Sequence, residues 1–97
     1  MRPETIAIRT QAARSTHREH AVPLFLTSSF VFDSAEQARA LFAEEERGPV
    51  YSRYSNPNTD EFVEKLRLLE GAEDGIATAS GMAAVFTALA SLVSAGD

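Results

Sequence analysis

From Met82 to Val93 the chain is apolar at every position except Thr87 and Ser91. A run of that length and composition predicts a helix, and a helix apolar on nearly every side has to be covered. It does not start in isolation. A short β-prone run, Ile76–Ala79, leads straight into it through Ser80 and Gly81. Chain that leaves a strand and turns at once into a helix aims the first unpaired backbone N–H groups, with the positive end of the helix dipole, at a single point. An anion fits there. Gly81 keeps side-chain atoms away from those amides, and Ser80 adds a hydroxyl. Two readings stay open on these residues alone: a phosphate cradle, or a plain strand-to-helix turn.

The 97 residues have room for one small domain and little room for a cofactor domain plus a substrate domain. A hydrophobic content of 44% and a charged content of 24% exclude disorder and low complexity and predict a packed core. The formal net charge of −5 argues against sequence-independent nucleic-acid binding, which needs basic residues to displace counterions. With no cysteine there is no disulfide, thiolate nucleophile or zinc–cysteine site. The amino terminus lacks the apolar core of a secretory signal, and no window has the length of a membrane span, so a cytoplasmic protein is expected.

Along the chain, Ile6 to His20 has no sustained apolar face after Ala13 and reads as an arm. Val22 to Phe32, rich in aromatic and β-branched residues, should be extended and partly buried. Ser34 and Gln37 have the spacing of a capping box, which predicts a helix from Ala35 to about Glu45. The charged run Glu44-Glu45-Glu46-Arg47, closed by Gly48-Pro49, reads as a solvated helix end. Val50 to Thr59 is a polar, aromatic loop, after which Asn58 or Thr59 is expected to cap a helix carrying Phe62, Val63, Leu66 and Leu69 on one face. Gly71 stands where a left-handed cap should end that helix. Ser94-Ala95-Gly96-Asp97 reads as a helix stop leading onward, the pattern of a piece of a longer protein.

No serine sits in a nucleophile elbow. His17 and His20 lack a third ligand, so no metal site is expected. Lys65, four residues after Glu61, reads as a surface ion-pair residue. Tyr51 and Arg53 are more informative, because alternation in an extended segment puts a phenol and a guanidinium on one face. Together they could clamp a phosphate already held by a helix terminus. The alternative is an exposed loop with a stacked arginine.

Four motifs in order, Pro23-Leu24-Phe25-Leu26-Thr27-Ser28-Ser29-Phe30, Tyr51-Ser52-Arg53-Tyr54-Ser55-Asn56-Pro57, Leu69-Glu70-Gly71 and Ala79-Ser80-Gly81-Met82-Ala83-Ala84, resemble the Cys/Met-metabolism family of pyridoxal-phosphate enzymes. The resemblance runs from about residue 4 to the last residue. It implies an α/β protein: an amino-terminal arm over residues 1–50 that contacts a partner subunit, then over residues 51–97 the inter-subunit phosphate clamp and the start of a fold type I cofactor domain. The cofactor would be pyridoxal 5'-phosphate, its phosphate held by Ser80, Gly81 and Met82, with Tyr51 and Arg53 reaching the cofactor of the neighbouring subunit. A homodimer, and commonly a tetramer of two dimers, would be the active form, acting on a small amino-acid substrate.

The reaction implied is γ-replacement, in which O-succinylhomoserine or O-acetylhomoserine and sulfide give homocysteine. The alternatives are cystathionine γ-synthase or γ-lyase chemistry of the same family and, from another class, a non-catalytic oligomerisation or phosphate-binding piece. The family's cofactor-bearing lysine has no counterpart here, since the helix around Lys65 lacks its motif, so no catalytic residue is assigned and the chain alone should be inactive. One departure is visible. Asn58 replaces the threonine many relatives carry after Asn-Pro, which should affect only the helix cap.

Overall fold

The computed structural model describes all 97 residues and contains four helices, α1 (Pro3–Arg9), α2 (Ala35–Phe42), α3 (Pro57–Glu70) and α4 (Gly81–Ala90). The longest, α3, is specified at both ends. Asn56 adopts an extended backbone and its side chain accepts the Asn58 N–H, Pro57 occupies the first turn where its missing N–H costs nothing, and Asp60 faces the positive pole. The cap is therefore Asn56, not Asn58 or Thr59. Proline explains the shift, because its fixed φ starts the helix one residue after the asparagine. Gly71, at φ 66°, closes the helix in the left-handed conformation expected of it.

In α2, Ser34 accepts the Gln37 N–H at 3.0 Å, and the Gln37 side chain reaches back to the Asp33 N–H at 2.7 Å. The box is made as expected, one residue wider on its return arm. The helix stops at Phe42, short of Glu45, because Glu44 turns to φ 58° and Arg39 folds over to grip Glu45 at 2.7 Å. Helix α1 falls in a stretch the sequence assigns to the arm. Its signals are weak but present: Pro3 and Glu4 at the start and Arg9 at the end. It packs on α3, the one helix pair in substantial contact, and just beyond it the Ala12 N–H donates to Glu61 at 2.9 Å.

No sheet forms. A single antiparallel bridge joins Ser29 to Tyr51, flanked by Phe30 N–H to Val50 carbonyl at 3.3 Å and Ser52 N–H to Ser28 carbonyl at 2.8 Å. The strand expected at Ile76–Ala79 is absent, and the α/β expectation is met here only in its helical half. A strand is a paired object, and nothing in these residues lies beside 76–79 to complete its hydrogen bonds. The segment from Val22 to Phe32 is extended and partly covered, with Phe25, Phe30 and Phe32 half-buried and Leu24, Leu26 and Val31 exposed.

The expected packed core is also absent. Asn56 is the single buried residue, at 7% exposure. Helix α4, expected to be covered, leaves Met82 74% and Phe86 71% exposed, because no other element packs on it. It also ends at Ala90 rather than Val93, where the Ser91 hydroxyl takes the Ala88 carbonyl. The accessible surface of 8263 Å² exceeds by half the roughly 5,400 Å² of a folded monomer of this mass. The radius of gyration, 16.4 Å, is likewise above the roughly 13 Å of a closed domain of this length. No helix is long and apolar enough to cross a membrane.

Candidate anion site

At the start of α4 the hydrogen-bond accounting is complete. Ser80 is extended, and its Oγ accepts the Ala83 N–H at 3.1 Å while its carbonyl accepts the Ala84 N–H at 3.1 Å. The Thr78 hydroxyl donates to that same carbonyl at 2.8 Å and fixes its direction. Gly81 and Met82 are left as the two amides with no acceptor in the chain. Because Ser80 Oγ is used only as an acceptor, its proton is free to donate alongside them. A Cβ built at Gly81 meets no atom within 4 Å, so nothing else in the chain crowds that face of the helix start. The first turn of α4 has no acidic residue to compete with an arriving anion.

Tyr51 and Arg53 come together, though not by strand alternation. The chain turns at Ser52–Tyr54, with the Tyr54 and Ser55 N–H groups donating to the Tyr51 carbonyl at 2.9 and 3.1 Å. The turn places the Arg53 guanidinium carbon 4.8 Å from the centre of the Tyr51 ring and 5.3 Å from that of Tyr54. The extended reading fails because the Tyr51 carbonyl is spent on the turn, not on a second bridge. Tyr54 was missed, although its position next to Arg53 in a Tyr-Ser-Arg-Tyr run was the available signal. Arg53 takes part in no ion pair, as is true of Arg2, Arg9, Arg14, Arg18 and Arg47, and it differs from those five in being stacked on aromatic rings. Its planar fork is thus held by two rings with its donors unspent.

These two groups do not share a cavity. Arg53 faces an open cleft of about 500 Å³ whose walls include Asp60, Glu64, Arg67, Ile76 and Ala77, but not Ser80, Gly81 or Met82. The remaining candidates resolve simply. No group of three or more His, Cys, Asp or Glu residues could hold a metal. Near the histidines, Glu19 is held down at about 2, first by the Ser15 N–H and then by the Ser15 hydroxyl. Glu45 is pulled below the usual carboxylate range by Arg39. Lys65 pairs with Glu61 at 2.6 Å as expected, yet the pair is no surface ornament. Glu61 is only 11% exposed and anchors the residues after α1, its carboxyl lowered by Lys65 and then by the Ala12 N–H.

A helix terminus with two free amides, a free hydroxyl and a glycine opening can take an anion, the stacked arginine has its donors unspent, and the chemistry of both fits a phosphorylated cofactor. The chain matches the Cys/Met metabolism PLP-dependent enzyme family over residues 4–97, and it belongs to that family. It is 49% identical over 94 residues to the O-succinylhomoserine sulfhydrylase of Pseudomonas aeruginosa, covering 97% of this chain and 23% of that protein. It is 42% identical over 93 residues to the L-methionine gamma-lyase of Fusobacterium nucleatum subsp. nucleatum, covering 96% of this chain and 24% of that one. In structure it superposes with a TM-score of 0.93 and 40% identity on an O-acetylhomoserine (thiol)-lyase of Campylobacter jejuni that carries a pyridoxyl-lysine monophosphate. That match covers all of this chain and 24% of the other. The chain thus spans about a quarter of the length of the relatives it matches. The family's cofactor is pyridoxal phosphate.

Proposed function

We propose that these residues are the amino-terminal part of a sulfhydrylase that converts O-succinylhomoserine or O-acetylhomoserine and sulfide to homocysteine, working as a homodimer or a tetramer of two dimers in the cytoplasm. The observation that carries the reading is the pair of unspent amides at Gly81 and Met82 together with the unpaired fork of Arg53. The Gly81 and Met82 amides and the Ser80 hydroxyl would hold the cofactor phosphate on the axis of α4, where the helix dipole favours its charge of about −2. Arg53 would present two parallel N–H groups to the same phosphate and Tyr51 its hydroxyl, from the neighbouring subunit. When bound, the cofactor supplies the electron sink that lets an amino-acid substrate lose protons at Cα and Cβ and exchange its γ-acyloxy group for sulfide.

Residues 1–50 would lie against a partner subunit, and residues 51–97 would bring the clamp and the first part of the cofactor domain. Lys65 would stay outside the chemistry, its amine committed to Glu61. On these residues alone no turnover is expected. The likeness to a methionine gamma-lyase keeps γ-elimination as the second reading.

The test is to purify the native protein with pyridoxal phosphate, reduce it with borohydride, and measure its denatured mass and activity. Sulfide-dependent homocysteine formation by a protein carrying one stable adduct per chain is the expected result. Methionine cleavage without homocysteine formation would transfer the assignment to the lyase. A chain that takes no adduct would leave only the non-catalytic binding role.

A further inference from the structure

The one buried residue in the chain sits directly behind the arginine clamp. Asn56 uses its whole side chain: Oδ1 accepts the Asn58 N–H at 3.0 Å, and Nδ2 donates to the Phe25 carbonyl and to Ser52 Oγ, each at 3.0 Å. Ser52 in turn donates its hydroxyl to the Thr27 carbonyl and its N–H to the Ser28 carbonyl. Two residues further on, Asn58 does for the other end of the extended segment what a backbone strand would do. Its Oδ1 accepts the Phe25 N–H at 2.8 Å and its Nδ2 donates to the Pro23 carbonyl at 2.8 Å. The expectation that Asn58 affects only the helix cap is therefore wrong. Its own N–H is capped by Asn56, and its side chain belongs to residues 23–25.

The turn bearing Arg53 lies between these attachments. Ser52 ties its first half to Thr27 and Ser28, and Asn56 ties Ser52 to the start of α3. We infer that Asn58 and Asn56 are positioning residues for the Tyr51–Arg53 clamp, locking residues 23–28 and the 51–54 turn into one rigid unit so that the Arg53 fork is aimed before any phosphate arrives. Neither side chain reaches the phosphate on this reading, which rests on the clamp role proposed for Arg53. The amide of Asn58 is what permits it. A side chain with its acceptor and donor on separate atoms can meet the Phe25 N–H and the Pro23 carbonyl at once, where a threonine hydroxyl has a single oxygen to serve both. Pre-organisation of this kind lowers the ordering cost of binding.

The test is a double-mutant cycle in the native protein, read as the dissociation constant of pyridoxal phosphate for the apoprotein, with apoprotein melting measured in parallel. Asn58→Ala is expected to raise that constant about three- to tenfold, the worth of one net hydrogen bond transmitted to the clamp. In an Arg53→Ala background the same change is expected to have no further effect, because a positioning residue has nothing left to position. Asn58→Thr, which keeps one hydroxyl near residues 23–25 without adding charge, should fall between and covers the case in which the alanine variant does not fold. Unchanged affinity in both Asn58 variants, with Arg53→Ala impaired, overturns the positioning role and leaves the clamp standing. Additive losses also overturn it, since a general loosening would act equally with or without Arg53. Arg53→Ala with unaltered affinity overturns clamp and positioning together.

Discussion

Replacing Arg53 by alanine separates binding from folding more cleanly than any other single change. The side chain makes no hydrogen bond or ion pair within the chain, and its contacts are the two ring faces at 4.8 and 5.3 Å. At exposed sites each such contact contributes about 0.5–1 kcal/mol, so the apoprotein should lose at most a degree or two of melting temperature in a full-length enzyme. A charge-assisted bond to a phosphate contributes about 1.5–3 kcal/mol, which is about a 10- to 100-fold rise in the cofactor dissociation constant. Arg53→Lys keeps the charge but loses the planar fork and the stack, and should recover only part of the loss. Titration of the apoprotein with pyridoxal phosphate, followed by the cofactor's absorbance, measures all three proteins. The second ionisation of a phosphate falls near pH 6, so the gap between wild type and Arg53→Ala should narrow as pH drops below about 6. Equal affinity in Arg53→Ala and wild type at neutral pH would refute the assignment, as would a loss matched in Arg53→Lys and independent of pH.

Gly81→Ala meets no clash in the chain and replaces glycine at a helix start, so it should leave α4 intact or stabilise it by up to about 0.5–1 kcal/mol while its methyl group crowds the anion and raises the cofactor dissociation constant; melting and titration on one preparation read both, and unaltered affinity would show that the phosphate does not need the bare Cα of Gly81. Mixed dimers of an Arg53→Ala chain with a Gly81→Ala chain should recover one wild-type site per dimer if clamp and cradle come from different subunits, and none if they come from one; cofactor stoichiometry decides. Glu61, whose carboxyl is lowered by Lys65 and the Ala12 N–H, stabilises the α1 attachment fully above the ordinary glutamate range and loses that contribution as pH falls through its lower folded value. Protection factors for amide exchange around Ala12, which divide out the pH dependence of intrinsic exchange, should therefore fall on acidification in wild type, and be lower at neutral pH and flat with pH in Glu61→Gln.

Local chemistry was legible and tertiary placement was not. The Ser34–Gln37 box and the Gly71 stop rest on a side chain or a φ angle within four residues of the helix end, and the structure forms both. The Ile76–Ala79 strand and the burial of α4 depend on neighbours distant in sequence, which no local pattern contains, and both expectations failed. At the site, Ser80, Gly81 and Met82 lie at a helix start, but without the strand expected before it. Tyr51 and Arg53 meet for a different reason, a turn and a ring stack. Asn58 escaped notice as more than a cap residue, and Asn56 as more than a loop residue, because their partners in the extended segment lie 31 to 35 positions away.

The charge balance points the same way as the hydrogen bonds. The chain has 14 acidic and 9 basic side chains, so an exposed arginine has a wealth of carboxylates to choose from. Arg39 takes two of them and Arg67 takes one, while Arg2, Arg9, Arg14, Arg18 and Arg47 take none and are stacked on no ring. Arg53, with Asp60 and Glu64 on the walls of its own cleft, takes none, since the two tyrosine rings hold its guanidinium and Asp60 is engaged by the Ser55 hydroxyl. The polar network behind it spends Asn56, Asn58 and Ser52 on fixing the turn and leaves the cation without a counter-charge. The start of α4 repeats the arrangement with backbone groups: Ser80 satisfies Ala83 and Ala84 and leaves the amides of Gly81 and Met82 open. Two separate places in one net-acidic chain thus hold unspent anion donors on locally braced backbone. What both lack is the same thing, an anion brought from outside these residues, and on the proposed inter-subunit arrangement one phosphate would satisfy the two at once.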